Sequence, residues 1–112
     1  TDAQPMKRTR QYVYLWALRI KPGCRRRFLK AYGPGGDWVR LFRKARGYLR
    51  TELLHDRRQR DRFVTIDYWR DRASHLAFQR RYAREFAALD RRCAGLTTSE
   101  RPLGQFELRY RP

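Results

Sequence analysis

Residues Tyr12 to Ile20 are almost free of charge and apolar in both alternating sets, with Tyr12, Tyr14, Trp16, Leu18 and Ile20 in one and Val13, Leu15 and Ala17 in the other. Aromatic and branched residues at this density predict a strand, and a strand apolar on both faces is covered on both. Lys21-Pro22-Gly23 ends it. From Cys24 to Ala45 the period becomes helical. Phe28, Leu29 and Tyr32 share a stripe, Gly33-Pro34-Gly35-Gly36 interrupts it, and Trp38, Leu41, Phe42 and Ala45 resume it behind a candidate N-cap, Asp37. Gly47 suits the C-terminal stop.

Tyr48 to His55 and Arg62 to Trp69 read as a hairpin around a polar loop of arginines. If Asp56 faces Asp61, then Leu53 lies opposite Val64, Thr51 opposite Ile66 and Leu49 opposite Tyr68, which makes one oily face. The other face then carries Glu52 opposite Thr65 and Arg50 opposite Asp67, with Leu54, Phe63 and Trp69. The Arg50–Asp67 charge match favours this register. Asp71 can cap a helix running to about Cys93, with Leu76, Tyr82, Ala83, Phe86 and Leu89 on its apolar side. Leu96 to Gly104 reads as a loop, and Gln105 to Tyr110 as a final strand with Phe106, Leu108 and Tyr110 on one face.

The β-α-β-β-α-β order predicts an α+β, ferredoxin-like fold, a four-stranded antiparallel sheet with helices on one face. Residues 12–112 form one domain behind a flexible tail at 1–11, in which Met6 is a candidate natural start. The helix-free face would keep Leu54, Phe63, Trp69 and one apolar set of the first strand. Left in water this is a sizeable apolar patch, and a second sheet would cover it, so the expected state is a homodimer.

Composition changes the picture in two ways. Hydrophobic residues make up 41% of the 112, enough for a core, and no apolar run approaches the ~20 residues that span a bilayer. The expected setting is cytoplasmic, with Cys24 and Cys93 as free thiols. Two histidines and no closely spaced cysteines give no zinc or iron motif, so no metal or other cofactor is expected. The net charge of +17 raises nucleic acid or another anionic partner. Yet 24 of the 28 cations are arginines spread over every segment, which a GC-rich genome would also produce. There is no nucleophile elbow, phosphate loop or dinucleotide fingerprint.

Several segments in order resemble the antibiotic biosynthesis monooxygenase family of dimeric α+β barrels. They are Leu18-Arg19-Ile20-Lys21-Pro22-Gly23, Phe28-x-x-x-Tyr32 followed by Trp38-x-x-Leu41, Gly47-Tyr48, Tyr68-Trp69, and Ala73-Ser74-His75-Leu76-x-Phe78. The resemblance spans about residues 12 to 110. It implies a pocket between sheet and helices and a barrel closed by two sheets. It also implies chemistry among cofactor-independent oxygenases of aromatic polyketides, haem-degrading enzymes, or cyclases and isomerases. Where the haem-degrading branch has its histidine, tryptophan and asparagine, this chain has Ala88, Phe78 and Trp16, which removes the proximal iron ligand.

If Trp16 faces the helices, Tyr14 and Leu18 share its face. Leu53, Tyr68 and His55 would join from the hairpin, and Trp38, Phe78, Tyr82 and Phe86 from the helices. Such walls suit a flat aromatic ligand, although aromatic stripes at this spacing also serve as plain core. His55, at a strand end, and His75, in the first turn of the last helix, are the candidate bases. A cofactor-free oxygenase needs its substrate deprotonated, so that an electron-rich carbanion meets oxygen. Two other functions fit the same fold. One is a small-ligand binding module without chemistry. The other is an RNA-binding sheet, since Val13 to Leu18 looks like the shorter RNA-recognition signature, although the third strand lacks the glycine of the longer one.

Overall fold

A computed structural model of the protein describes residues 7–112. The chain runs β1 (Lys7–Ile20), α1 (Arg25–Tyr32), α2 (Asp37–Phe42), β2 (Tyr48–His55), β3 (Arg62–Trp69), α3 (Arg72–Arg81), α4 (Ala83–Cys93), a short 3₁₀ turn (Ala94–Leu96) and β4 (Thr97–Arg111). The strands form one sheet in the order β2-β3-β1-β4, every neighbouring pair antiparallel. The helices cover one face, and this is the ferredoxin-like α+β architecture. No helix among the described residues is long and apolar enough to cross a membrane.

The core lies between that face and the helices. Trp69, Phe28 and Phe78 are its largest fully buried side chains. Phe28 stacks on Tyr32 with ring centroids 4.6 Å apart, and Phe42 meets Trp69 and Phe78 edge-on at 5.8 and 5.3 Å. Burial of each such ring contributes about 1.5–3 kcal/mol, and the edge-on contacts add to that.

The hairpin register differs by one residue from the one the charges suggest. Thr51 pairs with Asp67, Leu53 with Thr65 and His55 with Phe63. The turn explains the slip. Asp56 does not face Asp61; it closes the turn itself, accepting from the backbone N–H groups of Arg58 and Gln59 at 2.7 and 2.9 Å and pairing with Arg62. Asp61 pairs instead with Arg19 at 3.0 Å. A one-residue slip in pairing turns β3 over against β2, whose own faces stay as expected. Phe63 and Trp69 therefore join the core, and Tyr68 moves to the helix-free face. There its hydroxyl donates to Glu52 at 2.7 Å, and the Arg50 guanidinium lies 3.7 Å above its ring. The Arg50–Asp67 pair does not form.

The outer strands are longer than their side-chain patterns indicate. Residues 7–11 lie in β1, paired with the end of β4, so that much of the expected tail is strand; residues 1–6 of that tail lie outside the described residues. β4 starts at Thr97 and takes in most of the expected loop. Its pairing shifts between Leu15 and Trp16, where Leu103 is left over between Pro102 and Gly104. Bulges admit proline and irregular spacing into a strand. The last helix is bent at Tyr82, which leaves the helical backbone region yet keeps its bond to the Phe78 carbonyl.

Gly47 fixes how β2 meets α3. It holds a positive φ of 87°, and a Cβ there would lie 2.3 Å from the Ser74 hydroxyl oxygen. Ser74 is itself held by the cap residue Asp71, which accepts from its N–H and its hydroxyl at 2.8 and 2.6 Å. Gly47→Ala therefore combines a strained backbone with a clash, and is expected to cost about 2–3 kcal/mol in urea unfolding. A loss below about 0.5 kcal/mol, the scale of an ordinary surface substitution, would show that the α3 cap moves freely.

Candidate functional site

A cavity of about 270 Å³ opens between the sheet and the helices. Its floor follows from the strand pairing. One row across the sheet places Tyr14 beside Asp67 and Asp67 beside Thr51; the next places Trp16 beside Thr65. Trp69 extends the floor, while Trp38, Val39 and Phe42 of α2 and Phe86 of α4 wall it. His75 and Gln79 of α3 line one side, and Tyr32, Asp90 and Glu100 the far end.

Two polar clusters stand out in this aromatic setting. At the first, the Thr51 hydroxyl donates to Asp67 Oδ1 at 2.6 Å, and the Tyr48 hydroxyl lies 2.7 Å from Thr51 Oγ1. Thr51 has one proton and gives it to Asp67, so Tyr48 is the donor to Thr51. Desolvation raises the Asp67 carboxyl to about 6, against the lowering effect of Thr51, and no salt bridge among the described residues offsets it. At the second, the Tyr32 hydroxyl donates to Glu100 at 3.2 Å, and burial pushes that phenol far up. Trp38 Nε1 is buried with no partner of normal geometry, although it lies close enough to Tyr32 and Cys93 to bear on their ionisation.

His75 packs against Tyr12, Trp69 and Tyr14, with centroids 5.1, 5.2 and 5.7 Å away. Burial first, and then Arg72, lower its proton affinity, so it is neutral near pH 7. The lining has a definite sign. Among the described residues it contains three carboxylates and no lysine or arginine, in a chain of net charge +17.

Of the residues singled out from the sequence, Tyr14, Trp16, Leu18, Trp38, Phe86 and His75 line the cavity. Phe78 is core beneath it, and Leu53 and Tyr82 pack against the core without lining it; the Tyr82 hydroxyl donates to the Lys44 carbonyl at 3.1 Å. Tyr68 is on the opposite sheet face because of the register. His55 is outside the cavity, at the open hairpin end, stacked 4.3 Å from Phe63 with Nε2 2.9 Å from the Arg60 carbonyl. Asp67 and Trp69 escape the sequence reading for the same reason that Tyr68 is misplaced by it, whereas Thr51 lay on the expected face and was not singled out. Pairing Asp67 with Thr51 instead of Arg50 would have revealed them.

The site also bears on RNA binding. Tyr14 and Trp16, which carry the likeness to the RNA-recognition signature, point into the cavity under the helices. On the open face the two central strands present Val13, Leu15, Ala17, Val64 and Ile66, with one ring, Tyr68, already engaged by Arg50 and Glu52. RNA stacking needs free rings at such positions.

Comparison with known proteins gives a consistent result. No curated protein matches the chain. Among solved structures, it is similar to SnoaB, a cofactor-independent oxygenase from Streptomyces nogalater, with TM-score 0.71 and 16% identity over 88% of this chain and 92% of that one. A protein from Pseudomonas aeruginosa superposes with TM-score 0.64 and 21% identity over 95% and 98% of the two chains. One from Shewanella oneidensis gives 0.69 and 16% over 96% and 98%. At these identities the likeness is one of fold. The family model for antibiotic biosynthesis monooxygenase matches residues 12–89, which takes in β1 through most of α4. The chain belongs to the antibiotic biosynthesis monooxygenase family.

Proposed function

We propose that the protein is a cofactor-independent monooxygenase-like enzyme acting on a small planar aromatic or polyketide-type compound. The observation that carries this reading is the cavity: an opening between sheet and helices in which rings make up half of the lining residues, interspersed with hydroxyls, one amide and three carboxylates. Rings give a flat ligand contact on both faces, and the polar groups set its orientation. Membership of the family and the likeness to SnoaB support oxygenation as the chemistry. In such a reaction the substrate's own electrons reduce oxygen. The site's task is then to bind, exclude water and manage protons.

The sign of the lining narrows the ligand. Asp67, Asp90 and Glu100 would repel a carboxylate or phosphate, so the occupant is not an anion when it binds, and a neutral aromatic compound meets that condition. A hydroxylated anthrone is a suitable probe, because its ring CH₂ is acidic and its oxidation to a quinone is coloured. With no added cofactor, the protein is expected to consume oxygen and form quinone from it. Trp38→Ala is expected to lower kcat/KM about tenfold through lost ring contact. No oxygen uptake above the spontaneous rate would refute the oxygenase reading.

We further propose a homodimer closed through the helix-free sheet face. Leu15 and Ile66 are cross-strand partners on that face, and Leu54 and Phe106 are exposed there, 48% and 53%. Sedimentation at micromolar concentration should give twice the 13.7 kDa chain mass, and Ile66→Glu should give the single mass with the fold retained. A wild-type mass of one chain would contradict the dimer.

A further inference from the structure

We propose that Asp67, held by Thr51 and Tyr48, is the group that takes the acidic proton from an uncharged aromatic substrate in the cavity. The inference deepens the oxygenase reading and rests on it only for the steps after proton transfer. Three observations on Asp67 carry it. It lines the cavity from the centre of the sheet, its carboxylate is held by one hydroxyl, and no cation among the described residues pairs with it. A half-buried, desolvated carboxylate so poorly compensated weakens the fold, and such groups cluster at functional sites.

The surroundings favour Asp67 over His75. Around the cavity, β1 contributes Tyr14, β2 Thr51, α1 Tyr32, α3 His75 and Gln79, α4 Asp90 and β4 Glu100, while α2 contributes only Trp38, Val39 and Phe42. Arg43 acts on Tyr48, and Arg72 acts on His75. Proton uptake by His75 would create a cation under Arg72's influence in a half-buried place. Proton uptake by Asp67 instead neutralises a desolvated anion and moves its charge onto a delocalised ring system between aromatic walls. The total charge in the cavity does not change, so the transfer needs no cationic side chain.

The sequence of steps balances. A substrate C–H gives its proton to the Asp67 carboxylate and keeps the electron pair as a delocalised carbanion. The carbanion adds to dioxygen, forming one C–O bond, and the resulting peroxide anion takes the proton back from Asp67. The hydroperoxide then loses water as its O–O bond and the remaining C–H break. The ring CH₂ has become a carbonyl carrying one oxygen atom, and the other leaves as water.

The first step can be read without oxygen. Under anaerobic conditions in D₂O, the protein should catalyse deuterium exchange at the acidic CH₂ of the hydroxylated anthrone, followed by NMR. The Asp67→Asn variant should lose at least about a hundredfold in that rate, the order of a lost general base, while His55→Ala, outside the cavity, retains most of it. The rate should rise with pH through about 6, where Asp67 ionises, and level off above. Thr51→Val removes the bond that favours the carboxylate, so it should move this limb to higher pH, and His75→Ala should leave it in place. Exchange without oxygen uptake would uphold Asp67 and dismiss the oxygenase reading. Oxygen uptake with Asp67→Asn exchanging like wild type would dismiss Asp67 alone. No exchange by the wild-type protein would also overturn the proposal.

Stability gives a readout independent of any ligand. Because the fold raises the Asp67 carboxyl, ionisation costs the folded state more than the unfolded one. Wild-type stability is therefore lost as pH rises from the ordinary carboxylate range through about 6, and stays lost above. Asp67→Asn, which can still accept from Thr51, should raise Tm at pH 7.5 and change it little at pH 4. A fall in Tm at pH 7.5 would mark Asp67 as a structural residue and refute the proposal.

Discussion

The register of the β2–β3 hairpin is the constraint on which the rest depends. One choice puts Phe63, Thr65, Asp67 and Trp69 beneath the helices; the other would put Val64, Ile66 and Tyr68 there. Sheet side chains alternate strictly, so no intermediate exists. Asp56 decides between them locally, by closing the turn with its own side chain. The burial of Trp69 and Phe63, at 1% and 3% exposure, then reinforces that choice from the core. Pocket chemistry and the character of the open sheet face both follow from this single slip.

The fold was largely legible because it rests on periodicity. The doubly apolar first strand, the helical stripes and the turn residues around Pro22-Gly23 and Gly47 each determine local structure by nearby sterics and burial. The site was legible only where it lay on the same elements. Tyr14, Trp16, Trp38 and Phe86 followed from the stripes. Asp67 did not, because its place depends on pairing between two strands, and Arg50 offered a plausible but unused partner. Side-chain charge is a weak guide to register, since an exposed ion pair contributes about 0–1 kcal/mol while a buried tryptophan contributes several times that. The ends of β1 and β4 were missed for another reason. They pair through backbone groups, and their side chains carry no hydrophobic signal.

The cavity and the surface have opposite electrostatic character. Arginines are spread over the exterior, yet the lining has only carboxylates among its charged groups. This contrast separates the surface from the site. Whatever the outer charge serves, it does not come from groups that touch a bound ligand. A planar neutral molecule meets rings and a few hydroxyls and carboxylates, in an environment where a proton can move without a counterion.

The same contrast separates the interior from the medium. The proton affinity of Asp67 is set by desolvation and, against it, by the Thr51 hydroxyl. Mobile ions damp the field of the exterior arginines over a Debye length of about 8–10 Å at physiological ionic strength, and that field is not among the causes that hold Asp67 where it is. Salt can therefore reshape the outer face of the molecule while the balance between acid and carboxylate at the centre of the sheet stays with two local neighbours, solvent exclusion and one hydroxyl.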